Sequence, residues 1–296
     1  MLRGRRHTKP TAVGRWAGEG LVFLVGHPRS GTTFLGRLLG AHPSIGYWEE
    51  PAVLQFVNQV HHELRRLEQH LQLDAQIDTF TLREVGNTRK QNSLDAHQVQ
   101  LADERAVTRT RELVQHLVED FRTLSGRPIV VEKTPMGIGM LGALGSVLPE
   151  ARAIHIVRDP RDIVASIHRM VPLKGRPGWL RDDGDVAHAL ATQWLALVGG
   201  AIEAEGTHSG AIHRLRHEDV VERPERELKA LFEFLGIDWT HEIDEFLQSG
   251  HSGGLDPSRS GAWRDEVSVD EVHAVAAVAG GLMRELGYEA ADGAEC

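Results

Sequence analysis

Cysteine is almost absent from this chain of 296 residues, in which Cys296 is the only one. The chain therefore cannot form an intrachain disulfide or a metal cluster held by several cysteines. Such cysteine usage is typical of a reducing compartment, and we expect a cytoplasmic location. Long apolar runs are absent as well: no stretch of about 18 uncharged apolar residues occurs, so no transmembrane segment is predicted.

Positively charged residues are also fewer than negatively charged ones. Against 42 aspartates and glutamates stand 33 lysines and arginines, which gives a formal net charge of −9. This balance does not favour nucleic acid as the main partner, although it is compatible with a local basic pocket. The first ten residues, MLRGRRHTKP, are basic but lack the apolar stretch of a signal peptide. We predict a flexible basic tail over residues 1–20 and a single domain over residues 21–296.

Short apolar runs alternate with helical patterns along the chain. Leu21–Val25 and Ile129–Val131 are typical of buried parallel strands, and the segments ARAIHIVRDP and AIHRLRHEDVV indicate two more. The alternation predicts an α/β fold in which helices flank a parallel sheet. Residues 52–125 are instead polar with a helical period, and we expect a helical insertion with solvated faces that leans over the functional site.

A glycine-bounded loop follows the first strand and reads GHPRSGTT from Gly26 to Thr33. Its glycines permit backbone conformations that direct several N–H groups inward, and the helix that follows adds positive potential. The loop therefore predicts an anion site of the P-loop kind. The ATP-binding pattern requires a lysine after the second glycine, where this chain has Thr32. Positive charge comes instead from Arg29, and Ser30 and the two threonines add hydroxyl groups.

Two later segments also carry basic residues in turn contexts. In IVRDPRDIVAS, Arg158 follows a strand and Ser166 lies one to two turns into the next helix, so the pair suits a phosphate. A surface salt bridge from Arg158 to a neighbouring aspartate is the alternative. In DPSRSGAWRDE, Arg259, Ser260 and Trp263 form a third cluster, for which the alternative is a loop with a packing tryptophan.

In this order, the three segments resemble the sulfotransferases that use 3′-phosphoadenosine 5′-phosphosulfate (PAPS). PRSGTT is similar to the 5′-phosphosulfate loop of that family, in the arginine form typical of the tyrosylprotein and carbohydrate branches. IVRDPRDIVAS is similar to the 3′-phosphate motif, and SRSGAWR is similar to the C-terminal cofactor loop. The resemblance extends from Leu21 to Gly287 and is thinnest over residues 52–125.

The resemblance implies a P-loop-containing enzyme that transfers a sulfonate group from PAPS to a hydroxyl acceptor by in-line displacement. It implies that PAPS binds without a metal, and it explains the missing lysine because PAPS carries no triphosphate. The acceptor is left open between a tyrosine, a glycan, a lipid and a small molecule, and so is the oligomeric state. The residues implied to contact PAPS are Arg29, Ser30, Gly31, Thr32, Thr33, Arg158, Ser166, Arg259, Ser260 and Trp263.

Catalytic roles follow from the same resemblance. Arg29 and Lys133, the latter at the end of the strand in VEKTP, are implied to stabilise charge on the leaving phosphate oxygen. The cytosolic branch has its catalytic histidine two residues after this lysine, but this chain has Pro135, which cannot take a proton. In the tyrosylprotein branch the second of two adjacent glutamates is the base, and this position corresponds to Glu50. A solvated Glu49–Glu50 pair is the alternative.

Two other functional classes remain as alternatives at this point. A P-loop kinase or NTPase requires the loop lysine that this chain lacks, and a non-enzymatic nucleotide-binding module requires neither Glu50 nor Lys133. The adenine partner is open too. The cytosolic branch stacks a tryptophan on adenine directly after its threonines, where this chain has Phe34, and Trp263 is the other aromatic candidate.

Overall fold

The computed structural model describes residues 17–76, 96–180, 185–207, 211–249 and 256–289. Most of the predicted basic tail, residues 77–95 of the predicted insertion and Cys296 lie outside the described residues. The division into a tail and one domain stays a prediction. Within the described ranges, the mixture of a parallel sheet and many helices confirms the predicted α/β class.

A parallel sheet of five strands organises the described part of the chain, in the order β2-β3-β1-β4-β5. Four of these strands coincide with the predicted ones, whereas β2 was missed because IGYWE has a glycine in its interior and ends in the first of two adjacent glutamates. The five strands are β1 (Leu21–Gly26), β2 (Ile45–Glu49), β3 (Ile129–Lys133), β4 (Arg152–Val157) and β5 (Ile212–Arg216).

Both faces of the sheet are buried, as a parallel sheet requires. Alternation along β1 directs Phe23 and Val25 into one apolar core and Val22 and Leu24 into another. The second core is covered by α1 (Thr32–Ala41), α7 (His217–Glu222), α8 (Pro224–Leu235) and α9 (His241–Gln248).

More helices pack on the first core than on the second. Its helices are α2 (Val53–Gln76), α3 (Ala96–Ser125), a 3₁₀ helix (Pro135–Ala143), α4 (Leu144–Val147), α5 (Pro160–Lys174), α6 (Val186–Thr207) and α11 (Val269–Glu285). A short 3₁₀ turn (Pro257–Arg259) and α10 (Trp263–Glu266) precede α11, and α10 packs against α5. Among the described helices, not one is both long and apolar enough to cross a bilayer.

The predicted insertion is helical, since it contains α2 and α3, but its faces are not all solvated. The first turn of α2 contributes Val53, Leu54 and Val57 to the core. Further along α2, the buried carboxylate of Glu68 lies 2.7 Å from Arg109 of α3. The prediction of solvated faces was therefore wrong for one side of each helix, because α2 and α3 pack on each other and on the sheet.

Candidate active site

The loop between β1 and α1 has the backbone that an anion cradle needs. Gly31 caps α1 with a φ of 97°, and a β-carbon added there would lie 2.6 Å from Cδ2 of His217. No side chain caps α1, so the N–H groups of its first turn are left for a ligand. Arg29 also has a positive φ, 74°, although it is not glycine. Such strain is concentrated at functional sites.

A cavity of about 390 Å³ opens at this loop, where the carboxyl ends of the central strands meet the helices. Its described lining includes four arginines and no aspartate or glutamate, so it favours an anion. The residues that line it are Arg29, Gly31, Thr32, Thr33, Phe34, Arg37, Arg158, Ser166, His217 and Arg259.

Arg158 joins the three sequence segments at one point. Its Nη1 donates to the carbonyl oxygen of Arg29 at 2.9 Å, and its Nη2 donates to that of Arg259 at 2.6 Å. Arg29 in turn donates from Nε to the hydroxyl of Ser166 at 3.0 Å. The sequence placed these residues in separate motifs, and the structure brings them to one wall of the cavity.

The electrostatics of this wall are those of a site built for negative charge. Arg158 is only 5% exposed, and burial lowers the pKa of its guanidinium. Burial, followed by the charges of Arg169 and Arg259, also lowers the pKa of Arg29. The Nε of Arg158 and the hydroxyl of Ser30 are buried without a hydrogen-bond partner among the described residues. An anion bound here would relieve the repulsion and supply the missing acceptor.

The third segment divides between two cavities. Arg259 lines the main cavity, whereas Ser260 and Trp263 line a smaller one of about 230 Å³ beside it. Asp162 of α5 accepts hydrogen bonds from the backbone N–H of Gly261 (2.8 Å) and Trp263 (3.0 Å), which ties the segment to α5.

The two aromatic candidates for adenine differ in position. The guanidinium of Arg161 lies 3.8 Å from the centre of the Trp263 ring, so part of this ring is already covered. Phe34 lines the main cavity and packs on Phe246 with a ring separation of 6.0 Å. Phe34 therefore faces the main cavity, whereas Trp263 faces the smaller cavity beside it.

The predicted catalytic residues Lys133 and Glu50 lie in direct contact. The Nζ of Lys133, which is 1% exposed, donates to Oε1 of Glu50 at 2.7 Å and lies 3.3 Å from Oε1 of Glu49. The same Nζ donates to the hydroxyl of Thr33 at 3.3 Å. Neither Lys133 nor Glu50 lines the cavity, so Thr33 is the residue that connects the pair to the loop.

The backbone explains why both glutamates reach one lysine. Glu49 is the register partner of Lys133 across β2 and β3, so their side chains share a face of the sheet. Strand alternation would send Glu50 to the other face. Instead, Glu50 adopts a left-handed φ of 55°, which ends the strand and returns its carboxylate to Lys133. The side chain of Glu50 is 61% exposed, so an acceptor can approach it.

Sequence reasoning missed three residues of this site. Arg37 and His217 line the cavity, and the charge of Arg169 acts on both Arg29 and Arg158. His217 directly follows β5, and the rule that ligands bind at strand carboxyl ends could have found it. Arg169 lies three residues after Ser166 on α5, a spacing that places both on one helix face. No group of three or more potential metal ligands occurs in the part of the chain described.

Comparisons with known proteins agree with this geometry. Over 91% of its length, the chain is 26% identical to the nodulation protein NoeE of Sinorhizobium fredii, of which it covers 66%. It is 23% identical to human protein-tyrosine sulfotransferase 1 over 83% of its length, and it covers 60% of that protein. The chain therefore spans about two thirds or less of the length of these curated relatives.

Solved structures show the same fold at low sequence identity. The sulfotransferase domain from the curacin biosynthetic pathway matches with a TM-score of 0.56 and 17% identity, over 92% of this chain and 98% of that one. A mouse sulfotransferase complexed with PAP matches with a TM-score of 0.52 and 16% identity, over 93% and 88%. Residues 22–241 match the model of the sulfotransferase family. This match covers most of the chain, which therefore belongs to the sulfotransferase family.

Proposed function

We propose that this protein transfers a sulfonate group from PAPS to a hydroxyl group of an acceptor. One observation carries the proposal: the described lining of the cavity has four arginines and no carboxylate, and we assign to it two anion seats, the loop around Arg29 and the Arg158–Ser166 pair. A nucleotide with a 5′-phosphosulfate and a separate 3′-phosphate requires two such seats. The size of the cavity, about 390 Å³, lies within the range of small-molecule sites.

Relatives of known activity support the same class. Proteins similar to this chain include human protein-tyrosine sulfotransferase 1 and human carbohydrate sulfotransferase 3, and a mouse sulfotransferase of the same fold is complexed with PAP. The names of these relatives point to tyrosine and carbohydrate acceptors, and the choice between these and lipid or small-molecule hydroxyls is a matter for experiment.

Bound PAPS would supply the sulfonate group and a phosphate leaving group, and the residues of the chain would supply position and charge. Arg29 and the first turn of α1 hold the phosphosulfate end, and Arg158 with Ser166 holds the 3′-phosphate, while Ser260 remains a proposed contact of the C-terminal loop. We propose that Lys133, which donates to Thr33 at 3.3 Å, stabilises charge that develops on the leaving oxygen.

Glu50 is the proposed general base. A base must lie within hydrogen-bond reach of the acceptor proton, and Glu50 is exposed beside the loop while its carboxylate is fixed by Lys133 at 2.7 Å. The Lys133–Glu50 pair also separates an enzyme from a nucleotide-binding module, which needs neither residue. A kinase or NTPase is not favoured, because Thr32 replaces the lysine that holds a triphosphate.

A transfer assay tests the proposal. PAPS labelled in its sulfonate group is incubated with pools of phenolic, carbohydrate, lipid and tyrosine-peptide acceptors, and the labelled product is isolated. We expect transfer to one pool by the wild-type protein and none by a Lys133→Ala, Glu50→Gln double variant. Transfer that survives in the double variant would contradict the assigned roles, and the absence of transfer together with phosphoryl transfer from ATP would contradict the class.

A further inference from the structure

The segment that carries the proposed base has a strained backbone. Between β2 and α2, Glu50 and Ala52 have φ values of 55° and 56°, and Pro51 separates them. Left-handed φ values at residues other than glycine cost about 1–3 kcal/mol each and persist only where the surroundings impose them. Something must therefore hold this segment in place.

Three hydrogen bonds hold this segment, and their acceptors lie at or next to the carboxyl end of β3. The N–H of Glu50 donates to the carbonyl oxygen of Lys133 at 2.7 Å. The N–H of Ala52 donates to the hydroxyl of Thr134 at 3.0 Å, and the N–H of Val53 donates to Oε1 of Glu132 at 3.3 Å. Each of the three consecutive residues Glu132, Lys133 and Thr134 thus contributes one acceptor.

Glu132 determines the direction of this network. The single proton of the Thr134 hydroxyl is donated to Oε1 of Glu132 at 2.5 Å, which leaves the hydroxyl oxygen free to accept from Ala52. The same Oε1 accepts from the first N–H of α2, a group with no partner inside the helix. Glu132 therefore supports both the strained segment and the start of α2.

Glu132 cannot itself contact the reacting groups. It is fully buried, and alternation along β3 places it on the opposite face of the sheet from Lys133. Its register partners on the adjacent strands are Phe23 and Trp48, which are apolar. Burying a carboxylate in such surroundings costs free energy unless hydrogen bonds compensate for the lost water. Only Oε1 of Glu132 is compensated in this way, since Oε2 has no hydrogen-bond partner among the described residues.

We propose that Glu132 is a positioning residue, which acts through Thr134 to hold the Glu50–Ala52 segment in the conformation that places the Glu50 carboxylate on Lys133. This inference rests on the proposed role of Glu50 as the base. Removing the carboxylate would leave the Thr134 hydroxyl free to rotate and the N–H of Val53 without a partner. The base would then be displaced from Lys133, while the cavity, whose described lining includes neither Glu132 nor Thr134, would be unchanged.

Burial raises the pKa of Glu132 to about 7, whereas the hydrogen bonds from Thr134 and Val53 and the charge of Lys133 lower it. Since these hydrogen bonds favour the ionised carboxylate, ionisation strengthens them in return. The segment is therefore held most firmly above pH 7. This links the position of the base to pH in the neutral range.

The test uses the full chain and three measurements: kcat for labelled sulfonate transfer, the dissociation constant of PAP, and the dependence of kcat on pH. Glu132→Ala should lower kcat by about 10- to 100-fold, the cost of a small misplacement of a catalytic group. The dissociation constant of PAP should change less than about twofold, because the cavity is untouched. Glu68→Gln, a change at a buried glutamate of a different element, α2, is the control and should alter neither quantity.

Two conservative variants keep the test decisive if Glu132→Ala does not fold. We expect the kcat of the wild type to rise through pH 7, and Glu132→Gln should remove this rise because an amide does not titrate. Thr134→Val should lower kcat, and Thr134→Ser should restore it. The inference is overturned if Glu132→Gln keeps the wild-type pH profile, or if PAP affinity falls as much as kcat. A wild-type protein that transfers no sulfonate would instead contradict the proposed function itself.

Discussion

The site has two halves that are built differently. The cavity half consists of the Gly26–Thr33 loop and the Arg158–Ser166 segment, which are largely buried and are joined by a hydrogen bond from the Arg158 guanidinium to the carbonyl oxygen of Arg29. The base half consists of residues 49–52 and 132–134, which are 80 or more positions apart in sequence and meet because β2 pairs with β3. The first half is made for binding an anion and the second for placing a carboxylate.

Because the two halves are built differently, we expect substitutions in one half to affect PAP binding and substitutions in the other to affect turnover. Contacts in the cavity half converge on the backbone carbonyls of Arg29 and Arg259 through one buried guanidinium. Contacts in the base half converge on the Nζ of Lys133. Thr33 lies in both halves, since it lines the cavity and accepts from Lys133. Apart from Thr33, the two halves use different residues, so changes that leave Thr33 in place should affect one half and leave the function of the other nearly intact.

The strongest test breaks the base half alone. Glu50→Gln keeps the shape of the side chain but removes the group that takes the proton, so kcat should fall by about 10²- to 10⁴-fold. The dissociation constant of PAP, measured by calorimetry, should not change. Glu49→Gln is the control, because Glu49 is also exposed and lies 3.3 Å from the same Lys133. Equal losses of kcat in the two variants would contradict the assignment of Glu50 as the base.

The next largest effect should come from the cavity half. Arg158→Ala removes a charged donor from the proposed 3′-phosphate seat, and PAP should bind about 10- to 100-fold more weakly. Adenosine 5′-phosphosulfate, which lacks the 3′-phosphate, should lose much less. Arg264→Ala is the matched control, since Arg264 is exposed and pairs with Glu289 outside the main cavity. If both nucleotides lose affinity equally, the 3′-phosphate seat lies elsewhere.

The smallest expected effect concerns which aromatic residue at the cavity half contacts adenine. Phe34 lines the cavity whereas the ring of Trp263 is covered by Arg161, so we expect adenine to stack on Phe34. Phe34→Ala should weaken PAP by about 1 kcal/mol, or about fivefold, at the lower end of what base stacking contributes. Trp263→Ala should weaken it less. The reverse order of the two affinities would assign adenine to the C-terminal segment.

The cavity half could be predicted from the sequence because its signals are local. A strand, a glycine loop and a helix follow one another from Gly26 to Thr33, and Arg158 and Ser166 are eight positions apart on one strand-helix junction. Four of the five strands could also be predicted from local patterns, since β1 and most of β3 are continuous apolar runs and β4 and β5 are short segments rich in isoleucine, leucine and valine. Pro160 begins α5, where proline suits the first helical position.

The base half could not be derived in this way. The resemblance pointed to Glu50 and Lys133, but their contact depends on β2, a strand with a glycine in its interior that was not predicted from the sequence. The left-handed φ of Glu50 and the buried acceptor Glu132 follow from tertiary contacts with no local sequence signal. The separation of Trp263 from the main cavity has the same origin, because Asp162 holds that segment from another helix.

The central claim is that this cavity holds two separate anionic groups and not a triphosphate, and isothermal titration calorimetry tests it most directly. The wild-type protein is titrated with PAP and, separately, with ATP in the presence of Mg²⁺. The account predicts that PAP binds at least about tenfold more tightly, a difference of about 1.4 kcal/mol. Tighter binding of ATP with Mg²⁺ would contradict it.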